Sequence, residues 1–179
     1  MQEDRIIQQV LDGDTEAFRW IVDRYQGPVW HMIRHLTGPD VSDDIAQDVF
    51  VSAFAKLASY DPGQSRFSTW LFTIARNKAI NAMKKKRPIY VSELPERPCQ
   101  GNPSDDAVHK ELLEQLDLEV EKLPPRQRRV LVLADFQGLP YDEIAQIEGV
   151  RLGTVKSRIN RARAKLRAVL TRIGGPYAS

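Results

Sequence analysis

The chain has 179 residues, with 26 Lys and Arg against 24 Asp and Glu for a formal net charge of +2. That length allows one ordinary domain or two small ones. No run of eighteen apolar residues occurs, and the N-terminal MQEDRIIQQVLDGD is neither basic nor apolar enough for a secretory signal. The expectation is a cytoplasmic protein with no membrane insertion of its own. Cys99 is the only cysteine, which excludes an intrachain disulfide and disfavours structural zinc. No glycine-rich phosphate loop, nucleophile elbow or HExxH pattern is present, so neither an enzyme nor a cofactor is expected.

Strand-like alternation is almost absent and helical spacing dominates, which makes the fold class all-α. Thr15 is placed as the cap of a helix through FRWIVDRYQGPVWHMIRHLTG, with Phe18, Ile21, Val22 and Tyr25 on its apolar face. Pro28 should bend or interrupt it, and the helix resumes through Trp30, Ile33 and His35. His31 and His35 lie four apart, but too few further ligands accompany them for a metal site, so both read as partly exposed. A second helix, Val41 to Ala58 and about 27 Å long, buries Val41, Ile45, Val49, Ala53 and Leu57, widened by Phe50 and Phe54. Asp43, Asp44, Gln47, Asp48 and Val51 point outward. The helix dipole accounts for Asp43 and Asp44 in the first turn; Asp48 lies beyond it, and a basic protein partner is the alternative.

The stretch YDPGQSRFSTW from Tyr60 to Trp70 is a loop with a Pro62-Gly63 turn, and Ser68 or Thr69 can cap the helix TWLFTIARNKAINAMKKKR that follows. That helix ends in Lys84, Lys85, Lys86 and Arg87. Phe67 and Trp70 beside such a cationic helix either stack unpaired bases or belong to the core. Residues 1–87 form a first domain, and 88–107, with Pro88, Pro95, Pro98, Pro103 and Gly101, read as a flexible linker that spans close to 60 Å when extended. A second domain occupies 108–179. Its helices carry Val108, Leu112 and Val120, then Val130, Leu131, Leu133, Ala134 and Phe136 after Pro124-Pro125, ending at Gly138.

The last stretch, YDEIAQIEGVRLGTVKSRINRARAKLRAVLTRI, has the pattern of a helix-turn-helix. No acid follows Glu148, whereas Arg151, Lys156, Arg158, Arg161, Arg163, Lys165, Arg167 and Arg172 are all cationic. Gly149 suits a left-handed turn, and Thr154 is expected to cap the second helix. Val155, Ile159, Ala162 and Leu166 form its buried stripe, leaving Ser157, Asn160, Arg161 and Ala164 outward. Small polar residues flanked by cations suit a DNA groove, with Ser157, Asn160 and Arg161 at base edges and the other cations at phosphates. The alternative is a basic amphipathic helix that rests on an anionic surface or another domain, for which Ala145, Gly149 and Thr154 together have no purpose.

Four segments in this order resemble the bacterial RNA polymerase sigma factors of the extracytoplasmic function group: DDIAQDVFVSAFAKL at 43–57, FSTWLFTIARNKAIN at 67–81, LPPRQRRVLVL at 123–133 and YDEIAQIEGVRLGTVKSRINRARAKLR at 141–167. The resemblance implies a dissociable subunit that directs core polymerase to promoters and assists their opening. It implies that Asp44, Gln47, Asp48 and Val51 meet the clamp helices of the largest polymerase subunit, while the second domain meets the flap. Tyr60, Arg66, Phe67, Ser68, Thr69, Trp70, Arg76 and Asn77 would serve the downstream promoter element, with the loop holding a base flipped from the non-template strand. Arg151, Thr154, Lys156, Ser157, Arg158, Asn160, Arg161 and Lys165 would serve the upstream element, and an anti-sigma factor would be a further partner. Two small domains on a flexible linker should bind promoter DNA poorly until polymerase orders them. A conventional regulator with a helix-turn-helix output domain is the rival reading, although it leaves the acidic face and the cationic helix of the first domain without a role.

Overall fold

The computed structural model describes residues 2–85 and 115–173, so the expected linker and the beginning of the second domain lie outside the described residues. Among the described residues all regular structure is helical and falls into two clusters. The first contains α1 (Gln2–Leu11), α2 (Phe18–Thr37), α3 (Ser42–Lys56) and α4 (Phe67–Lys85). The second contains α5 (described over 115–122), α6 (Pro125–Leu131), α7 (Tyr141–Glu148) and α8 (Leu152–Ile173).

α1 was not among the sequence-based expectations. It is held by burial of Ile7 and Val10 and by the Tyr25 hydroxyl, which donates to Glu3 Oε1 at 2.6 Å. Burial, reinforced by that carboxylate, pushes the Tyr25 phenol above its ordinary pKa. Asp14, rather than Thr15, provides the cap ahead of α2: its carboxylate accepts from the Ala17 amide at 3.3 Å, and 15–17 form a 3-10 turn. α2 then runs uninterrupted through Pro28. Proline costs a helix interior about 3 kcal/mol, but Ile21 and Tyr25 before it and Val29, Met32, Ile33 and Leu36 after it are all buried. Each such side chain contributes roughly 1.5–3 kcal/mol, so the burial outweighs the lost hydrogen bond.

α3 packs against both α2 and α4. Its buried row is Ser42, Ala46, Val49 and Ala53, continued by Leu57: Val49, Ala53 and Leu57 are buried as expected, whereas Ser42 and Ala46 take the places expected of Val41 and Ile45, which with Phe50 are half-buried, and Phe54 is 42% exposed. A helix flanked by two neighbours presents small residues where they approach, which favours Ala46 over Ile45. α4 begins at Phe67, so Ser68 and Thr69 lie in its first turn and cap nothing; the Trp70 amide already donates to Arg66 O at 3.1 Å.

In the second cluster α6 follows Pro124 with Pro125 in its first turn, and a π-helical segment, Val132–Phe136, continues it. Val130, Leu131, Val132, Leu133, Ile144, Ile147, Val155, Ile159 and Ala162 are buried together. The clusters meet along α4 with α7 and α2 with α6. His35 is therefore not partly exposed, as its sequence context suggested, but buried at 6% exposure, its ring 4.6 Å from that of Phe136 and its carbonyl accepting from Arg128 Nη1 at 3.3 Å. Burial lowers the His35 pKa, with Asp117 opposing. No helix among the described residues is long and apolar enough to cross a membrane, and no group of three His, Cys, Asp or Glu is placed to hold a metal ion.

Candidate nucleic-acid and polymerase interfaces

The helix-turn-helix is built from a glycine turn and a buried stripe. Gly149 adopts φ +64, and the amides of Gly149 and Val150 donate to Gln146 O and Ala145 O at 3.2 and 3.0 Å, closing the carbonyl end of α7. α8 starts at Leu152, two residues before the expected cap. Thr154 therefore does not cap it: its amide donates to Arg151 O at 2.9 Å and its own carbonyl accepts from Ser157 Oγ at 3.1 Å. Val155, Ile159 and Ala162 are fully buried and Leu166 half-buried. This stripe turns Lys156, Ser157, Asn160, Arg161, Ala164, Lys165 and Arg167 to the surface, where Arg151 is also exposed.

Two of the basic side chains on α8 have partners within the protein. Arg163 donates from Nε to Asp135 at 3.1 Å. Arg158, with its side chain 17% exposed, lies 3.7 Å from Glu148 Oε2. Glu148 is itself a buried hub, taking Arg129 Nε and Nη2 at 2.8 and 2.9 Å and Arg76 Nε at 3.2 Å. A buried carboxylate is tolerated when several guanidinium donors satisfy it, as here. Lys84, Arg126, Arg129, Arg158 and Arg161 converge on a groove of 810 Å³ that Thr154 and Ser157 also line.

The downstream set is assembled around an aromatic cluster. Phe67 is 1% exposed, its ring centroid 5.8 Å from Tyr25, 5.4 Å from Tyr60 and 5.5 Å from Trp70. Of the two roles open to it in sequence, Phe67 takes that of a core residue, since its ring has no free face. The half-buried Tyr60 and Trp70 pack on it, and Tyr60 OH donates to Ser65 O at 3.2 Å. The loop between them is shaped by Asp61, whose carboxylate accepts from Gly63 N at 2.8 Å and Gln64 Nε2 at 2.9 Å; these bonds hold its pKa below the usual carboxylate value. Beside the loop lies a 520 Å³ recess lined by Tyr60, Arg66 and Ser68, but also by Glu3, Arg24 and Tyr25 of α1 and α2. Those last three were missed because they lie in sequence far from the loop.

Thr69 and Arg76 are not free. Thr69 is 2% exposed and its hydroxyl donates to Glu143 Oε2 at 2.7 Å; Arg66 Nη1 reaches Glu143 Oε1 at 2.9 Å. Arg76 binds Glu148 and also donates to Asn77 Oδ1 at 2.9 Å, leaving Asn77 exposed. On α3, Asp44, Gln47, Asp48 and Val51 are all exposed, Val51 at 68%. Asp43 accepts from Trp30 Nε1, and Asp48 Oδ2 lies 3.5 Å from Lys78 Nζ. A cleft of 430 Å³ between α2 and α3, lined by Val22, Trp30, Gln47 and Phe50 among others, adjoins this face.

An exposed basic helix-turn-helix thus lies on one helical cluster and an exposed acidic face on the other. The sequence matches the sigma-70 region 2 family over residues 21–89 and sigma-70, region 4 over 113–166. It is 34% identical over 177 residues to the ECF RNA polymerase sigma factor SigW of Bacillus subtilis (strain 168), covering 92% of this chain and 94% of that one. Against the ECF RNA polymerase sigma-E factor of Escherichia coli (strain K12) the identity is 34% over 171 residues, covering 88% of each. Among solved structures, CnrH in complex with the cytosolic domain of CnrY aligns with TM-score 0.72 at 28% identity, over 93% of this chain and 96% of that one. RpoE from Bartonella quintana, in complex with the anti-sigma factor NepR, aligns with TM-score 0.70 at 27% identity, over 86% and 96%.

The chain belongs to the extracytoplasmic function group of the sigma-70 family of RNA polymerase sigma factors. It is a dissociable, non-catalytic subunit that directs RNA polymerase to promoters. The rival reading, a conventional regulator, fails because both sigma regions are present in order.

Proposed function

We propose that α8 reads the upstream promoter element from the major groove, with Ser157, Asn160 and Arg161 at base edges and Arg151, Lys156 and Lys165 on phosphates. The observation that carries this is the fully buried stripe Val155, Ile159 and Ala162, which fixes Lys156, Ser157, Asn160, Arg161 and Lys165 on or beside the outward face, with Arg151 exposed just ahead of the helix. Thr154 lines the same groove, and Arg158 reaches DNA only by leaving Glu148. The recess beside Tyr60, Arg66 and Ser68 holds a base flipped from the non-template strand, with Phe67 supporting its floor; Thr69, Trp70, Arg76 and Asn77 run along the opening duplex. Asp44, Gln47, Asp48 and Val51 take the polymerase clamp helices, and the second cluster takes the flap. The domain limits are 1–87 and 108–179 with the linker between, the site of action is the cytoplasm, and an anti-sigma factor is a partner.

Run-off transcription with core polymerase of the same cell and a promoter mapped for this protein tests the reading. Promoter-specific initiation with no other sigma factor is expected, and Arg161→Ala should change base preference in the upstream element. A uniform loss across all upstream sequences would remove Arg161 from base reading.

A further inference from the structure

Three helices bring cations to one hollow. Lys84 at the end of α4, Arg126 and Arg129 of α6, and Arg158 and Arg161 of α8 line the 810 Å³ groove together with Thr154 and Ser157. Only the packing of the chain gathers residues so far apart in sequence. Their charges are unevenly compensated. Glu148, 4% exposed, takes Arg129 at 2.8 Å and Arg158 at 3.7 Å. Lys84, Arg126 and Arg161 are exposed, and among the described residues none of the three has a carboxylate at ion-pair distance. Like charges collected around a concave surface repel one another and focus a positive field, which an anion relieves.

A neighbouring side chain is arranged for the same kind of ligand. Gln127 also lines the groove, and its side-chain oxygen is buried without a donor, which leaves the amide N–H pair as the end available to a bound group. The Thr154 hydroxyl can donate as well. The volume falls within the range of small-molecule sites, roughly 300–1,000 Å³. Cations spread along one helix face suit a duplex; here they stand on three helices around a hollow, which suits a compact anion of several charges.

We infer that this groove binds a condensed phosphate, a short chain of three or more linked phosphates, free or carried by a nucleoside. Such a chain places several negative charges close together, and each guanidinium matches two oxygens of a phosphate. A single orthophosphate engages fewer of the cations at once. Occupancy sets phosphate on Ser157 and Arg161, so the ligand and upstream promoter DNA compete; that consequence alone rests on the assignment of α8, and the binding itself does not.

Calorimetric titration of the full-length protein with inorganic tripolyphosphate, at a physiological ionic strength of about 0.15 M, tests the inference. One saturable site per chain is expected. Lys84→Ala and Arg126→Ala, both at exposed positions, should each weaken binding several-fold, and Arg126→Glu should weaken it further, with helical circular dichroism unchanged. Arg19→Ala removes an exposed cation of α2 outside the groove and should leave the affinity as it was. A ribonucleoside triphosphate that binds as tightly as tripolyphosphate shows that the phosphate chain alone is held, and tighter binding shows that the nucleoside is held too; either result supports the site. Orthophosphate that binds as well as tripolyphosphate means an adventitious ion only and overturns it. Absence of saturable binding, or equal weakening by Arg19→Ala and Arg126→Ala, overturns it as well. So does binding confined to RNA or DNA polymers, which would make the groove a nucleic-acid surface.

Discussion

On α8, Ser157, Asn160 and Arg161 stand exposed with Lys156 and Lys165 beside them, whereas on α4 Thr69 is buried and Arg76 is held by Glu148. The two faces are chemically alike, each combining small polar side chains with cations. What differs is the opposite surface: α8 faces solvent, and α4 faces the acids of α7. The brace helix of the helix-turn-helix thus has two sides, one packing on α8 through Ile144 and Ile147 and the other covering α4 through Glu143 and Glu148. Weak promoter binding by the free protein was expected from the entropy of a flexible linker. In the structure Thr69 and Arg76 of α4 have carboxylate partners on α7, Glu143 and Glu148.

The comparison can be broken most severely at Glu148. Glu148→Ala leaves Arg129, itself 9% exposed, without its carboxylate, and removing one partner of a buried pair costs about 3–5 kcal/mol. A large drop in the urea midpoint of the second cluster is expected; a midpoint unchanged within error would mean that Glu148 organises little. Arg161→Ala acts on the open face alone. It should cost about 1–3 kcal/mol at the upstream element in holoenzyme, read by competition between upstream sequences, and leave stability unaltered. Lys165→Ala should weaken binding evenly across sequences and reduce the slope of log affinity against log salt by about 1, which a salt titration measures.

A pH series sharpens the other line of contact between the clusters. Burial holds the His35 pKa below its ordinary value of 6.5, so below that pH the unfolded chain takes up a proton before the folded one does. Stability is therefore retained above about pH 6.5 and falls as the pH drops from there toward the folded pKa. Around this imidazole Asp117 favours the proton, while His31, Arg34 and Arg128 oppose it. Urea midpoints at pH 7.5 and 5.5 should diverge in the wild type and converge in His35→Gln. The smallest effect on the fold is expected from Asp48→Lys, because Asp48 is exposed and its ion pair with Lys78 is a surface one. Its helicity and midpoint should hold while affinity for core polymerase falls.

Much of this was legible before any coordinates. The α8 stripe and the Gly149 turn were readable because a helix that is buried on one side repeats its apolar residues at a fixed angle, and a left-handed turn leaves a glycine. α1 was not readable: ten mostly polar residues bury only Ile7 and Val10, too few for a period to emerge. Pro28 and Thr154 misled for a common reason, since local propensity names where a helix should break or begin, and burial along α2 and the Arg151 carbonyl decided otherwise. Phe67 was ambiguous because an aromatic at a loop end fits a core or a stacking site equally until its neighbours are known. The pairing of Glu143 with Thr69 had no local signature whatever, because charge and spacing reveal which face is acidic but not what lies across from it.

Run-off transcription by core polymerase carrying this chain alone, on promoters that differ only in the upstream element, tests the assignment of the α8 face most directly. A base preference that shifts with Arg161→Ala is predicted. An equal loss on every upstream sequence would contradict it.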